Sequence, residues 1–205
     1  MYKKWFITGI GTGIGKTTVA AILTEALRAD YWKPIQSGDL QNSDSKTIQV
    51  LTTNTTQIHQ EQYRLELAAS PHKSAALENT EIELSKFSLP KTKNHLLVEG
   101  AGGLFVPLNE KDFIIDLIQH LDLKVVLVAN NYLGCINHTI LSIEALRQRE
   151  ISIDLFVFNG NFDEDTHRII YNYLPKELKK IYIPELTKLS KNTIKEIAKK
   201  IYKSI

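Results

Sequence analysis

The chain has 205 residues, 43% of them hydrophobic and 23% charged, a composition that suits a globular protein and excludes a disordered or fibrous one. With 25 Lys plus Arg against 23 Asp plus Glu, the net charge of +2 gives no field that would gather a nucleic-acid backbone, so nucleic acid is not an expected partner. No apolar run approaches the roughly 20 residues that span a bilayer. The amino terminus lacks an apolar secretory segment, and the one cysteine has no partner for an internal disulfide. The expectation is a cytoplasmic chain, with no membrane partner, folded as a single domain over residues 1–205.

In chain order, the apolar run Trp5 to Ile7 predicts a buried strand, and the helical period over Thr17 to Arg28 predicts a helix that buries Val19, Ala20, Leu23 and Leu27. Between them lies Gly9-Ile10-Gly11-Thr12-Gly13-Ile14-Gly15-Lys16-Thr17. A glycine-rich turn from strand to helix that ends in Gly-Lys-Thr is the setting of a phosphate loop. Its backbone N–H groups turn inward around phosphate oxygens, the helix N-terminus adds positive partial charge, Lys16 reaches the outer phosphates and Thr17 ligates magnesium. The spacing is that of a variant loop, with one residue more from Gly9 than the strict pattern allows. A dinucleotide fingerprint fits worse, because its third glycine falls on Ile14 or Lys16.

Tyr31-Trp32 reads as a short strand, and Pro34 biases Lys33 towards an extended backbone. From Asp39 to Lys93 the chain is rich in Thr, Asn, Gln and Ser with weak periodicity, and is expected to lay helices and loops over the sheet. Within it, Asn42-Ser43-Asp44 reads as a helix start, Ser43 capping and Asp44 favoured by the dipole. Leu96 to Val98 is the next expected strand, with Glu99 at its end, where open α/β sheets bind ligands. Strands follow at Val125 to Ala129, Leu155 to Phe158 and Ile181 to Ile183, with helices over Phe113 to Leu121, His138 to Arg147 and His167 to Leu174. The alternation implies an α/β fold with a mostly parallel sheet and helices on both faces. At the carboxyl end, Ile194, Ile197, Ala198, Ile201, Tyr202 and Ile205 form an apolar stripe beside a basic face of Lys195, Lys199, Lys200 and Lys203. That pattern suits either a helix docked on the sheet or a membrane-surface helix.

Six further motifs stand in order along the chain: Lys33-Pro34-Ile35-Gln36-Ser37-Gly38, Asn42-Ser43-Asp44, Ser70-Pro71-His72, Val98-Glu99-Gly100-Ala101-Gly102-Gly103, Leu133-Gly134-Cys135-Ile136-Asn137-His138, and Asn159. With the phosphate loop, they make the chain resemble the dethiobiotin synthetases, P-loop enzymes, over nearly its whole length. The resemblance implies a magnesium-dependent ligase in which 7,8-diaminononanoate takes up carbon dioxide as a carbamate, ATP phosphorylates it, and the second amine closes a cyclic urea. Lys16 and Lys33 are then the catalytic cations, since two anions must be brought together. Gly13, Ile14, Gly15, Lys16, Thr17 and Thr18 hold the phosphates of ATP, Asn159 and Pro184 its base, and Thr17, Asp44 and Glu99 the Mg2+.

The resemblance also assigns the organic substrate to Thr12, Lys33, Ser37 and the turn Gly134, Cys135, Ile136 and Asn137, the turn coming from the second subunit of a homodimer. Asn159 equally suits a turn, and Cys135 reads as structural. The chain departs from the family at Gly11 and Gly13, where acidic residues are common, at Tyr132, often lysine, and in Lys179-Lys180-Ile181-Tyr182, where a glycine is usual. The rival reading is a partitioning or cell-division-positioning switch ATPase. Members of that class resemble one another in placing a second lysine five positions before the P-loop lysine, where this chain has Gly11.

Overall fold

In the computed structural model, which describes residues 2–53 and 57–205, the elements follow the expected alternation. They are β1 (Lys4–Gly9), α1 (Lys16–Leu27), β2 (Asp30–Trp32), β3 (Ile35–Ser37), α2 (Asp44–Leu51), β4 (Ile58–His59), β5 (Tyr63–Leu65), α3 (Pro71–Leu77), β6 (Leu96–Gly103), α4 (Ile114–His120), β7 (Lys124–Asn130), α5 (Cys135–Gln148), β8 (Ile153–Asn159), α6 (Glu164–Tyr173), β9 (Lys179–Ile183) and α7 (Lys191–Ile201).

Among the described residues, seven strands form one parallel sheet in the order β4-β2-β6-β1-β7-β8-β9. Trp5, Phe6 and Ile7 of β1 and Val125 to Ala129 of β7 are at most 2% exposed, which is why these strands read as continuous apolar runs. The chain leaves β1 towards β2 through α1, but runs the opposite way from β7 to β8 to β9 through α5 and α6. Right-handed crossovers in opposite directions put helices on opposite faces, as expected. The change of direction at β1 opens a crevice at the carboxyl ends of the strands.

Three boundaries and one segment differ from expectation, each for a local reason. β6 does not end at Val98 but runs on through Glu99 to Gly103, because a register shift between Ile7 and Gly9 lets Gly103 pair with Gly9. α5 starts at Cys135, three residues before His138, with Gly134 as N-cap in the left-handed region at φ 102°. α6 likewise begins at Glu164 instead of His167, since the Asp163 side chain caps it by accepting from the Thr166 N–H. The Asp39 to Lys93 stretch holds strands as well as helices: β4 extends the main sheet beside β2, while β5 joins β3 in a two-stranded parallel sheet. Strands of two and three residues are too short to show a period.

The carboxyl-terminal stripe is docked. Ile194, Ile197, Ala198 and Ile201 are 0–6% exposed, and α7 packs on α1. Tyr202 does not belong to the buried stripe, being 59% exposed in the turn that follows α7. No helix among the described residues is long and apolar enough to cross a membrane.

Candidate active site

A cleft of about 630 Å³ opens beside α1, lined by Thr12, Gly13, Gly15, Lys16, Thr17, Thr18, Lys33, Ser37, Asp44 and Glu99 of the expected site. Ile35, Gln36, Ala68 to Pro71, Ala101, Gly102 and Val106 complete the lining. Of the latter, Ile35, Ala68, Ala69 and Val106 carry no chemical signature by which a sequence would single them out.

At the phosphate loop, Gly15 adopts φ 87°, and a Cβ there would stand 2.3 Å from the Asn159 Nδ2, so only glycine fits both the backbone and the space. No side chain among the described residues caps α1. Its first-turn N–H groups, orphaned in any helix, therefore face the cleft as an anion site. Lys16 is 7% exposed and its Nζ donates to the Gly11 carbonyl at 2.9 Å. Burial, with Lys33 adding to it against the pull of Glu99, lowers the Lys16 pKa to about 8. An ammonium held at that cost gains strongly from an anionic partner.

The floor of the cleft is assembled from four segments. Thr17 from α1 donates to both Asp44 Oδ1 at 3.0 Å and Glu99 Oε1 at 2.8 Å. Lys33, 3% exposed, points its ammonium at Asp44 Oδ2 (2.5 Å), Glu99 Oε1 (3.3 Å) and the Gly100 carbonyl (2.9 Å). It is thus no solvated surface lysine. Burial disfavours its charge, but Glu99 and then Asp44 overcome that and raise its pKa above the ordinary lysine value. Burial also opposes the charge of Asp44, yet Lys33 prevails and holds its pKa below the usual carboxylate range. Glu99, 1% exposed, is pushed up by its own burial more than Lys33 pulls it down.

Local sequence explains how these groups arrive. The register β1 Ile7 to β6 Glu99 places Glu99 one strand away from the phosphate loop. Asp44 is the first residue of α2, capped as expected by Ser43, whose side chain accepts from the Lys46 N–H. Gln36 ties the start of α2 to the turn after β3: its Oε1 accepts from the Asp44 N–H at 3.2 Å and its Nε2 donates to the Gly38 carbonyl at 2.9 Å. Ser37 Oγ lies buried in the cleft wall with no hydrogen-bond partner among the described residues.

The other expected residues lie outside this cleft. Asn159, at the end of β8 and 9% exposed, donates its amide to the Ile14 carbonyl at 2.8 Å, so it touches the phosphate loop from behind. Pro184 follows β9 and borders a separate hollow of about 510 Å³ with Gly160, Asn161, His167 and Tyr182. In the turn Gly134 to Asn137, Gly134 and Asn137 are exposed, Ile136 is half-buried against the core and Cys135 is 2% exposed. Two departures from the family meet each other here: a Cβ on Gly11 would lie 3.5 Å from the Tyr132 hydroxyl, which is 2.8 Å from His138 Nδ1.

Comparison with known proteins identifies the family. A family model described as an AAA domain matches residues 3–193. A curated relative from Cytophaga hutchinsonii, ATP-dependent dethiobiotin synthetase BioD, is 46% identical over 98% of this chain and 97% of its own. The protein of the same name from Christiangramia forsetii is 44% identical over 100% of this chain and 99% of its own. Among solved structures, the septum site-determining protein MinD of Pyrococcus horikoshii, complexed with Mg-ADP, superposes with a TM-score of 0.57 at 14% identity, covering 98% of this chain and 96% of that one. A ParA family ATPase from Chlorobium tepidum gives 0.53 at 13% identity over 97% and 99% of the two chains. At such identities these neighbours share the fold alone. The sequence relatives, 44–46% identical over nearly their whole length, place this chain in the ATP-dependent dethiobiotin synthetase family.

Proposed function

We propose that this chain makes dethiobiotin from 7,8-diaminononanoate, carbon dioxide and ATP, with Mg2+, in the cleft beside α1. The observation that carries the reading is the convergence of Lys16, Thr17, Lys33, Asp44 and Glu99 in one cleft of a chain from this family.

The donor set suits magnesium. Thr17 Oγ1, Asp44 Oδ1 and Glu99 Oε1 are hard oxygens, the two carboxylate oxygens lying 3.0 and 2.8 Å from the threonine hydroxyl. These three would hold the ion, which when bound supplies positive charge to the phosphates. The chain's own residues do the rest. The N–H groups of Gly13 to Thr18 and the Lys16 ammonium bind the ATP phosphates, which restores to Lys16 the anionic partner that burial denies it. Lys33 orients the carbamate against the γ-phosphate, offsetting the repulsion of two anions. A carbamate oxygen attacks the γ-phosphorus as ADP leaves; the second amine then attacks the carbonyl carbon, and phosphate and a proton depart. Thr12 and the unpartnered Ser37 hydroxyl contact the diamine end.

Diaminononanoate carries its carboxylate at the far end of an aliphatic chain, so that group needs a second anion site away from the phosphate loop. We assign it to Gly134, Cys135, Ile136 and Asn137 at the start of α5, supplied across a homodimer. Support comes from the exposure of this turn outside its own subunit's cleft. Asn159 and Pro184 border the base, residues 1–205 act as one catalytic domain, and the enzyme works in the cytoplasm. The switch-ATPase reading has only the shared fold behind it, and the stripe it would lend to a membrane is buried on α1.

The test is direct. Purified protein incubated with diaminononanoate, bicarbonate, Mg2+ and ATP is expected to yield dethiobiotin by mass spectrometry. ATP hydrolysis independent of the diamine, with no dethiobiotin, would overturn the proposal.

A further inference from the structure

We infer that Tyr31 is a positioning residue of this site, its phenol fixing the Glu99 carboxyl group so that Oε1, and not Oε2, is presented to the metal. The inference rests on the assignment of Thr17, Asp44 and Glu99 to Mg2+ made above.

Strand geometry sets up the contact. Tyr31 in β2 pairs in register with Leu97 in β6. Side chains alternate along a strand, so Glu99, two residues on, lies on the same face as Leu97. The tyrosine ring therefore lies along that face towards the carboxyl end of the sheet, and its hydroxyl donates to Glu99 Oε2 at 2.8 Å. Glu99 thereby divides its two oxygens: Oε1 meets Thr17 and Lys33 on the cleft side, while Oε2 has Tyr31.

The division matters because both groups are buried, Tyr31 at 0% and Glu99 at 1% exposure. A carboxylate oxygen in an apolar wall must find a donor, and a buried phenol must find an acceptor. Each satisfies the other. Without the hydroxyl, Oε2 would be left bare, and the carboxyl group would lower its energy by rotating or by taking a proton. Either change withdraws the fixed negative charge from the cleft. Tyr31 itself is excluded from direct chemistry, since it does not line the cleft.

The experiment uses ADP as nucleotide, with Mg2+ titrated by calorimetry and Mn2+ by electron paramagnetic resonance, on the full-length chain. Glu99→Gln comes first, because it tests the metal assignment by itself: metal affinity of the protein–ADP complex should fall. Tyr31→Phe, which keeps the ring and removes one oxygen, should weaken metal binding by about 10–100-fold, the usual cost of removing a group that orients a ligand. ADP affinity without metal should stay as in the wild type. In the Glu99→Gln background, Tyr31→Phe should have no further effect on metal affinity. Unchanged metal affinity in Tyr31→Phe, while Glu99→Gln lowers it, overturns the positioning role and leaves the metal site standing. Equal loss of ADP affinity with and without metal also overturns it, marking a general loosening of the fold. If Glu99→Gln changes nothing, the metal assignment fails and the role of Tyr31 fails with it.

Discussion

The floor of the cleft and a rim of surface turns beyond its lining are built by different rules. On the floor, Thr17, Lys33, Asp44 and Glu99 come from segments far apart in sequence, are braced from buried strands and helix starts, and share hydrogen bonds. On the rim, the turn from Tyr132 to His138, the residues after β8 and those after β9 are mostly exposed and are tied to one another, as when Asn161 donates to Glu185 at 3.1 Å. Charges that must meet a developing phosphoryl charge are worth most when they need not reorganise, which demands burial and mutual bracing. Groups that discriminate between ligands can sit on loops held by a rigid scaffold. Of the positions at which the sequence departs from the resemblance, Tyr132 falls on the rim, whereas Gly11 and Gly13 lie in the phosphate loop and Lys179 to Tyr182 in β9.

The largest expected effect separates the two lysines of the floor. Lys16→Ala should abolish both nucleotide binding and turnover, whereas Lys33→Ala should lower turnover by at least about 10²–10³-fold and spare most nucleotide affinity. Equal loss of nucleotide binding in both variants would show that the floor has no separate carbamate half. Because Lys33 is buried between two carboxylates, its removal should also destabilise the metal-free protein, by about 3–5 kcal/mol in urea denaturation. An unchanged midpoint would mean that the floor relaxes freely and is not a rigid counterpart to the rim.

Truncation after Ser190 comes next, because it strips Ile194, Ile197, Ala198 and Ile201 from α1, the helix that carries Lys16 and Thr17. The melting temperature should fall by many degrees, each large apolar side chain being worth about 1.5–3 kcal/mol when buried. Flotation with anionic vesicles should recover no full-length protein. On the rim, Asn159→Ala should weaken ATP binding by about tenfold, the loss expected for one or two hydrogen bonds. Inorganic triphosphate makes the comparison sharper: it should lose affinity too if Asn159 acts by bracing Ile14, and keep it if Asn159 only reads the base. The smallest signal tests whether the rim turn serves the other subunit. Mixing Lys33→Ala with Gly134→Trp protein and allowing exchange makes about half the dimers mixed, each with one intact site. Activity should return to about a quarter of wild type, and proven exchange without recovery would break the shared-site reading.

The sequence made part of the floor legible through physical signatures, glycines before Gly-Lys-Thr and an acid following an apolar strand, whereas the site roles of Lys33 and Asp44 came from the family resemblance, the serine before Asp44 marking only a helix start. It left Tyr31 unread. An aromatic inside a buried strand looks like core packing, and only the register of β2 on β6 reveals the carboxylate its hydroxyl reaches. The long central strands were visible as apolar runs, but β4 and β5 were not, since their pairing is decided by what lies beside them. The start of α5 was legible as a turn from Leu133 to His138 that follows a strand and begins a helix, but its first residue was not. Gly134 turns the chain with a left-handed backbone, and Cys135, Ile136 and Asn137 carry no helical period of their own.

The placement of Cys135 gives the protein a built-in chemical clock. It is the chain's one thiol, 2% exposed in the first turn of α5, with its Sγ 3.7 Å from Asn131 Oδ1. An alkylating reagent can reach it only when that turn opens, and when reclosing outpaces alkylation the labelling rate measures the free energy of opening. A single mass shift thus follows the Gly134 to Asn137 turn, the proposed carboxylate site, separately from global unfolding. Slower labelling when diaminononanoate is added would register the substrate's far end without any turnover.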